Sequence, residues 1–178
     1  MNAWQEISFA FWIFLPAGLA NMAPVLAAHL PGLKKFDQPL DGHLMLGRER
    51  LLGPHKTIRG LLCGVALAIA CVFVQKHFGL AGVDYNSISP WVLGTLFGVG
   101  ALLGDAVKSF FKRRLAIAPG RPFLFFDQID YILGGILLTF WYLPLSAAVY
   151  AYILLIYFLL HLAVSVLGFL VGLKTAAI

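Results

Sequence analysis

Charge is what this sequence has least of. Only 12% of its 178 residues are Asp, Glu, Lys or Arg, while 61% are hydrophobic. A soluble domain is about a quarter charged and about 45–50% apolar. No soluble core of this size could bury so much apolar surface, so the chain reads as an integral membrane protein. Cysteine is nearly missing too. Cys63 and Cys71 share one apolar segment that, as a helix, holds them about 12 Å apart, too far for a disulfide. They read as free thiols, which excludes a disulfide scaffold. No Ser-His-Asp order, Cys-His pair or His-rich metal spacing is present. His161 and Ser165, one helical turn apart and with no acid nearby in sequence, read as interhelical hydrogen-bond partners. The formal charge of +5 sits beside apolar runs, as juxtamembrane cations do. The bilayer, not nucleic acid, is the partner this implies.

A spanning helix needs about 20 mostly apolar residues. Five stretches qualify, at about 6–28, 58–78, 90–111, 128–145 and 147–172. The expected fold is therefore all-α, a single domain over residues 1–178 with five transmembrane helices. The first apolar run, Ile7 to Ala28, lacks a preceding basic flank and a clear cleavage site, so it reads as a retained helix. Pro16 and Pro24 predict kinks within it. Ser89-Pro90 reads as the start of the third helix, and Trp141, Tyr142 and Pro144 mark the far end of the fourth. Lys34, Lys35, Arg48, Arg50, Lys56 and Arg59 fall in or beside a loop over 29–57; Lys108, Lys112, Arg113, Arg114 and Arg121 fall in or beside a second over 112–127. The connections near 79–89 and 143–146 carry no Lys or Arg. Positive-inside bias then places both basic loops and the C-terminus in the cytoplasm and the N-terminus outside, in a multi-pass protein of the cell membrane.

What charge there is crowds one end of the bundle. Asp105 follows too short an apolar run, Trp91 to Gly104, to have crossed the bilayer, so it lies below the surface and needs a partner. An ion pair with a loop cation would satisfy it; so would a metal or a polar cavity. Asp127 and Asp130, three residues apart, share a face of the fourth helix. Capping accounts for Asp127 as an N-cap, but not for an acid at Asp105. Three carboxylates at one interface suit a hard, oxygen-liganded cation such as Mg²⁺. Flanking them, "KSFFKRR" supplies Lys108, Lys112, Arg113 and Arg114, and "GRERLLGPHKTIRG" supplies Lys56, Thr57 and Arg59 behind Gly53-Pro54. The latter is no Walker motif, because Pro54-His55 separates glycine from lysine and no strand precedes it. A glycine turn feeding the N-terminus of a helix can still bind phosphate.

"GRERLLGPHKTIRG", "LLGDAVKSFFKRR" and "FFDQIDYILGG", in this order, resemble the CDP-archaeol synthases, small membrane cytidylyltransferases distantly similar to CDP-diacylglycerol synthases. The resemblance implies Mg²⁺-dependent transfer of CMP from CTP to a membrane lipid phosphate, an isoprenoid-ether glycerol phosphate, with release of pyrophosphate. By motif it implies a polar cavity with Asp105, Lys108, Asp127 and Asp130 as catalytic residues. Lys56, Thr57, Arg59, Ser109, Lys112, Arg113 and Gln128 would meet the nucleotide. Asp105, Asp127 and Asp130 would hold the metal, with Asp41 a further candidate. Phosphatidic acid, as in the diacylglycerol enzymes, is the alternative acceptor. A CDP-alcohol phosphotransferase would need Ala-Arg where Met45-Leu46 follow Asp41-Gly42. A transporter using Asp105 as its ion site would need polar residues in both membrane halves, and the outer halves of helices two to four are almost wholly apolar.

Overall fold

The computed structural model describes residues 2–79, 83–118, 121, 123 and 125–170. Among these described residues five α-helices make the body: α1 (Ala3–Ala28), α2 (Ile58–Phe78), α3 (Pro90–Arg114), α4 (Phe126–Thr139) and α5 (Ala147–Leu170). Four of them, all but α4, are long and apolar enough to cross a membrane. The fourth expected span is cut short. α4 has 14 residues, about 21 Å of helix against a hydrocarbon core of about 30 Å. Pro144 disfavours a helical conformation at Leu143, and the Thr139 hydroxyl turns inward to the Gly135 carbonyl at 2.8 Å. The chain leaves the helix there in a turn closed by Tyr142 N–H to the Thr139 carbonyl, and the Tyr142 hydroxyl accepts the Ser89 amide at 3.0 Å.

The loop over 29–57 is more ordered than an apolar-span reading foresees. It holds a short 3-10 helix (Pro31–Phe36) and a two-residue antiparallel hairpin, β1 (Met45–Leu46) with β2 (Glu49–Arg50). Arg114, the last residue of α3, donates to the carbonyls of Leu46 (3.0 Å) and Arg50 (2.8 Å), fastening the hairpin to the end of the bundle.

The core is built on small residues of α1. Ala10, Ala17 and Ala20 are fully buried, which lets neighbouring backbones close in where lipid supplies no hydrophobic drive. Phe14 meets the rings of Phe97 and Tyr157 edge to face, while Leu62, Leu137, Leu155 and Leu159 stay exposed for lipid. α1 runs through both of its prolines. Pro16 has no N–H for the Trp12 carbonyl, and the side-chain amide of Gln75 on α2 donates to that oxygen at 2.5 Å instead. From α5, the Tyr157 hydroxyl donates to the adjacent Phe11 carbonyl, also at 2.5 Å. Both cysteines are free, as expected.

The closest helix crossing positions the polar end. A Cβ on Gly104 of α3 would lie 2.1 Å from the Asp130 carbonyl oxygen, and one on Gly134 of α4 would lie 2.2 Å from that of Gly100. Only bare α-carbons permit that approach. It brings the α3 residues just beyond Gly104 against the first turn of α4.

Candidate active site

Asp105, Lys108, Ser109, Lys112 and Arg113 fall at i, i+3, i+4, i+7 and i+8 of α3 and so share one face. The expected convergence of Asp105, Asp127 and Asp130 is present, and its centre is an ammonium group. Lys108 Nζ lies 3.0 Å from Asp105 Oδ1, 2.9 Å from Asp127 Oδ1 and 2.6 Å from Asp130 Oδ2. Lys56, reaching across from the end of the loop, pairs with the other oxygen of Asp105. Lys112 sits 3.3 Å from Asp127 and donates to the Arg121 carbonyl at 2.6 Å. Three carboxylates thus face three ammonium groups, a near-neutral network that a low-dielectric site can tolerate. Carboxylate oxygens are the donors that a hard cation such as Mg²⁺ takes. Among the described residues no three acidic, His or Cys side chains stand close enough to share one ion; the Lys108 ammonium takes that place.

The N-cap expectation for Asp127 does not hold. The residue before α4 is Phe125, at φ 65° in the left-handed region. Asp127 lies in the first turn, where its Oδ2 accepts the Phe123 amide at 2.6 Å. It therefore shapes the chain entering α4 while facing both lysines. Gln128 is buried beside it, and its Oε1 has no hydrogen-bond partner among the described residues. The Ser109 hydroxyl donates to the Asp105 carbonyl at 2.9 Å.

In front of this network the segment Leu52–Lys56 lies over α3, leaving an open cleft lined by Leu52, Gly53, Pro54, His55, Lys56, Lys108, Ser109, Lys112 and Arg113. Its walls carry four cations. Arg113 is buried, and its Nε lacks a partner among the described residues. The turn that makes the cleft depends on Gly53, whose φ of 96° other residues rarely adopt.

Asp105, Asp127, Asp130 and Gln128 do not line the cleft, and neither do three further sequence candidates that lie outside the acidic network. Asp41, a possible metal ligand by resemblance, has both oxygens engaged. Oδ1 accepts from Arg50 and from the His43 amide (3.1 Å), and Oδ2 from the amides of Leu52 (3.1 Å) and Gly53 (3.2 Å). Burial alone would raise its carboxyl; the Arg50 bond and these amides outweigh it and bring it down to about 2. Asp41 is the brace of the turn, with no oxygen left for a metal. Thr57 caps α2, accepting the Gly60 amide at 3.2 Å. Arg59 pairs with Asp37 at 3.0 Å and ties the loop to α2. Conversely, Leu52 and His55 line the cleft without having been foreseen; only the Gly53-Pro54 turn beside them hinted at it.

Residues 5–177 match the family described as CarS-like CDP-archaeol synthase. The chain belongs to the CDP-archaeol synthase family. It is 36% identical over 180 residues to the CDP-archaeol synthase of Methanopyrus kandleri, covering 97% of this chain and 94% of that protein. It is 37% identical over 174 residues to the CDP-archaeol synthase of Aeropyrum pernix, covering 96% and 91%. A solved structure of an intramembrane enzyme for archaeal membrane lipid biosynthesis superposes with a TM-score of 0.74 at 33% identity, over 87% of this chain and 91% of that one. This CDP-archaeol synthase family member is accordingly an enzyme, a cytidylyltransferase, and a multi-pass membrane protein.

Proposed function

We propose that this protein transfers CMP from CTP to the phosphate of 2,3-bis-O-(geranylgeranyl)-sn-glycerol 1-phosphate or a similar ether-lipid phosphate, giving a CDP-lipid and pyrophosphate. The observation that carries this reading is the cleft itself: four cations in its wall, three carboxylates behind them, at one end of a bundle of apolar helices. A phosphate monoester has a second pKa of about 6 and is already largely a dianion at neutral pH, so its oxygen needs no strong base to attack. That oxygen bonds to the α-phosphorus, the bond from the α-phosphorus to the bridging oxygen breaks, and pyrophosphate leaves with the electron pair. The protein's share is positioning and neutralisation of charge. Lys56, Lys112 and Arg113 bind the triphosphate, and Lys108 bridges the phosphates and the acids. Asp105, Asp127 and Asp130 are the residues that would hold Mg²⁺, which when bound offsets the charge on the leaving pyrophosphate.

The membrane topology follows the basic loops. The fourth crossing is completed by α4 together with the turn over 140–146, which gives five crossings, the N-terminus outside, and a cleft that takes CTP from the cytoplasm. The test is purified protein in lipid with radiolabelled CTP, Mg²⁺ and matched ether and ester lipid phosphates. Label should pass to the ether lipid and require the divalent ion. Exclusive use of the ester phosphatidic acid would overturn the acceptor, and no CMP transfer to any lipid phosphate would overturn the reaction.

A further inference from the structure

We propose that Lys108 is a resident counter-ion of the carboxylate set, whose ammonium keeps a divalent metal out until a polyphosphate in the cleft draws it away. The idea rests on the reading of Asp105, Asp127 and Asp130 as metal ligands and adds an order to it: nucleotide phosphate first or together with metal, never metal alone.

The geometry carries the argument. The Lys108 ammonium stands 2.6–3.0 Å from one oxygen of each of the three acids, with its side chain only 13% exposed. These are ammonium distances. Mg²⁺ needs its oxygens at about 2.0–2.1 Å, so it cannot sit among these carboxylates while the lysine does. Charge points the same way, because Lys56, Lys108 and Lys112 already balance the three acids. A divalent ion added to that balance would face a buried like charge at contact range. Among the described residues the ion pairs of Lys108 are all with carboxylates, whereas Lys112 is also anchored to the Arg121 carbonyl. Lys108 also lines the cleft. Its flexible four-carbon stem can therefore turn the ammonium from the acids to a phosphate without moving the helix. A polyphosphate thereby frees the carboxylates and brings new negative charge beside them.

The test uses the full chain in nanodiscs with Mn²⁺ alone as the probe and no nucleotide, free Mn²⁺ being read by electron paramagnetic resonance. Wild type should bind weakly. Lys108→Met should bind one Mn²⁺ more tightly by about tenfold or more, and Lys108→Arg, which keeps the cation, should stay weak. Asp130→Asn added to Lys108→Met should cancel the gain, assigning it to these acids. Should Lys108→Met not fold, Lys108→Gln carries the same expectation, since its amide still donates to the carboxylates. A neutral variant that binds Mn²⁺ no better than wild type overturns the proposal, as does tight nucleotide-free binding by wild type. CMP transfer by wild type, measured in parallel, tests the function separately: transfer without the Mn²⁺ gain refutes only the role of Lys108.

Discussion

Gly104→Ala is the sharpest test of how the fold makes the site. The added methyl would sit 2.1 Å from the Asp130 carbonyl oxygen and 2.8 Å from its carbon. A carbon keeps about 3.3 Å or more from a carbonyl oxygen, so α3 and α4 must part by about 1 Å. Asp105 and Lys108 move with one helix, Asp127 and Asp130 with the other. A misplacement of about 1 Å can cost about a hundredfold in rate, while overpacking costs about 1–3 kcal/mol in stability. Gly94→Ala is the matched control. Its methyl would lie 2.5 Å from the Ile69 α-carbon, an equally severe clash, but it falls about 15 Å farther along α3, away from the acids. Turnover per folded molecule, measured on the monodisperse fraction with labelled CTP, should drop about a hundredfold in Gly104→Ala and stay near wild type in Gly94→Ala. Normal turnover in Gly104→Ala would refute the reasoning. So would an equal loss in both variants, which would make the effect one of general packing.

Arg113→Ala should lower kcat/KM for CTP by about ten- to a hundredfold, a charged contact of about 1.5–3 kcal/mol, whereas Arg121→Ala, with an exposed side chain, should leave it nearly unchanged; equal effects would remove Arg113 from the cleft. Asp41→Ala strands Arg50 and three backbone amides, so it should destabilise the fold by about 3 kcal/mol in thermal or denaturant unfolding and raise KM for CTP as the turn over Gly53 loosens. Because the Asp41 carboxyl is lowered from 3.8 to about 2, its stabilisation is complete above pH 3.8 and lost as pH falls through 2; Asp41→Asn should flatten the stability profile over that window, and an unchanged profile would contradict the brace. Reporter fusions after Tyr85 and after Arg121 should lie on opposite sides of the membrane, and a shared side would overturn the five-crossing topology.

Much of the site was legible because its logic is local. An acid cut off too early in an apolar run, two more at helical spacing, and basic motifs on both flanks gave the cast of residues. What tied them together was not local. That Lys108 stands amid all three acids depends on the Gly104–Gly134 crossing, and glycines in an apolar helix do not announce their partners. Asp41 resembled a ligand by motif, but its brace role comes from Arg50 and from amides beyond it in the loop, none of which carries a periodic signal. The hairpin β1–β2 was invisible for a similar reason, as two-residue strands have no alternation to read. Apolar residues that continue past Thr139 suggest a longer α4 than the chain forms, because nothing in that run shows that Tyr142 bonds back to Ser89 or that Pro144 stands just beyond the turn.

The bonds to the Trp12 and Phe11 carbonyls also bear on how the protein is made. α1 leaves the ribosome first, carrying at Trp12 a backbone oxygen that its own helix cannot satisfy. Gln75 reaches it only once α2 has been synthesised, and Tyr157 reaches its neighbour only with α5. The oxygen that Pro16 leaves open is thus met by the second helix, and the last helix adds a further bond one residue away. A chain stopped at Ser146 should insert, yet show rapid amide exchange around Phe11–Leu15, while the full chain protects the same stretch.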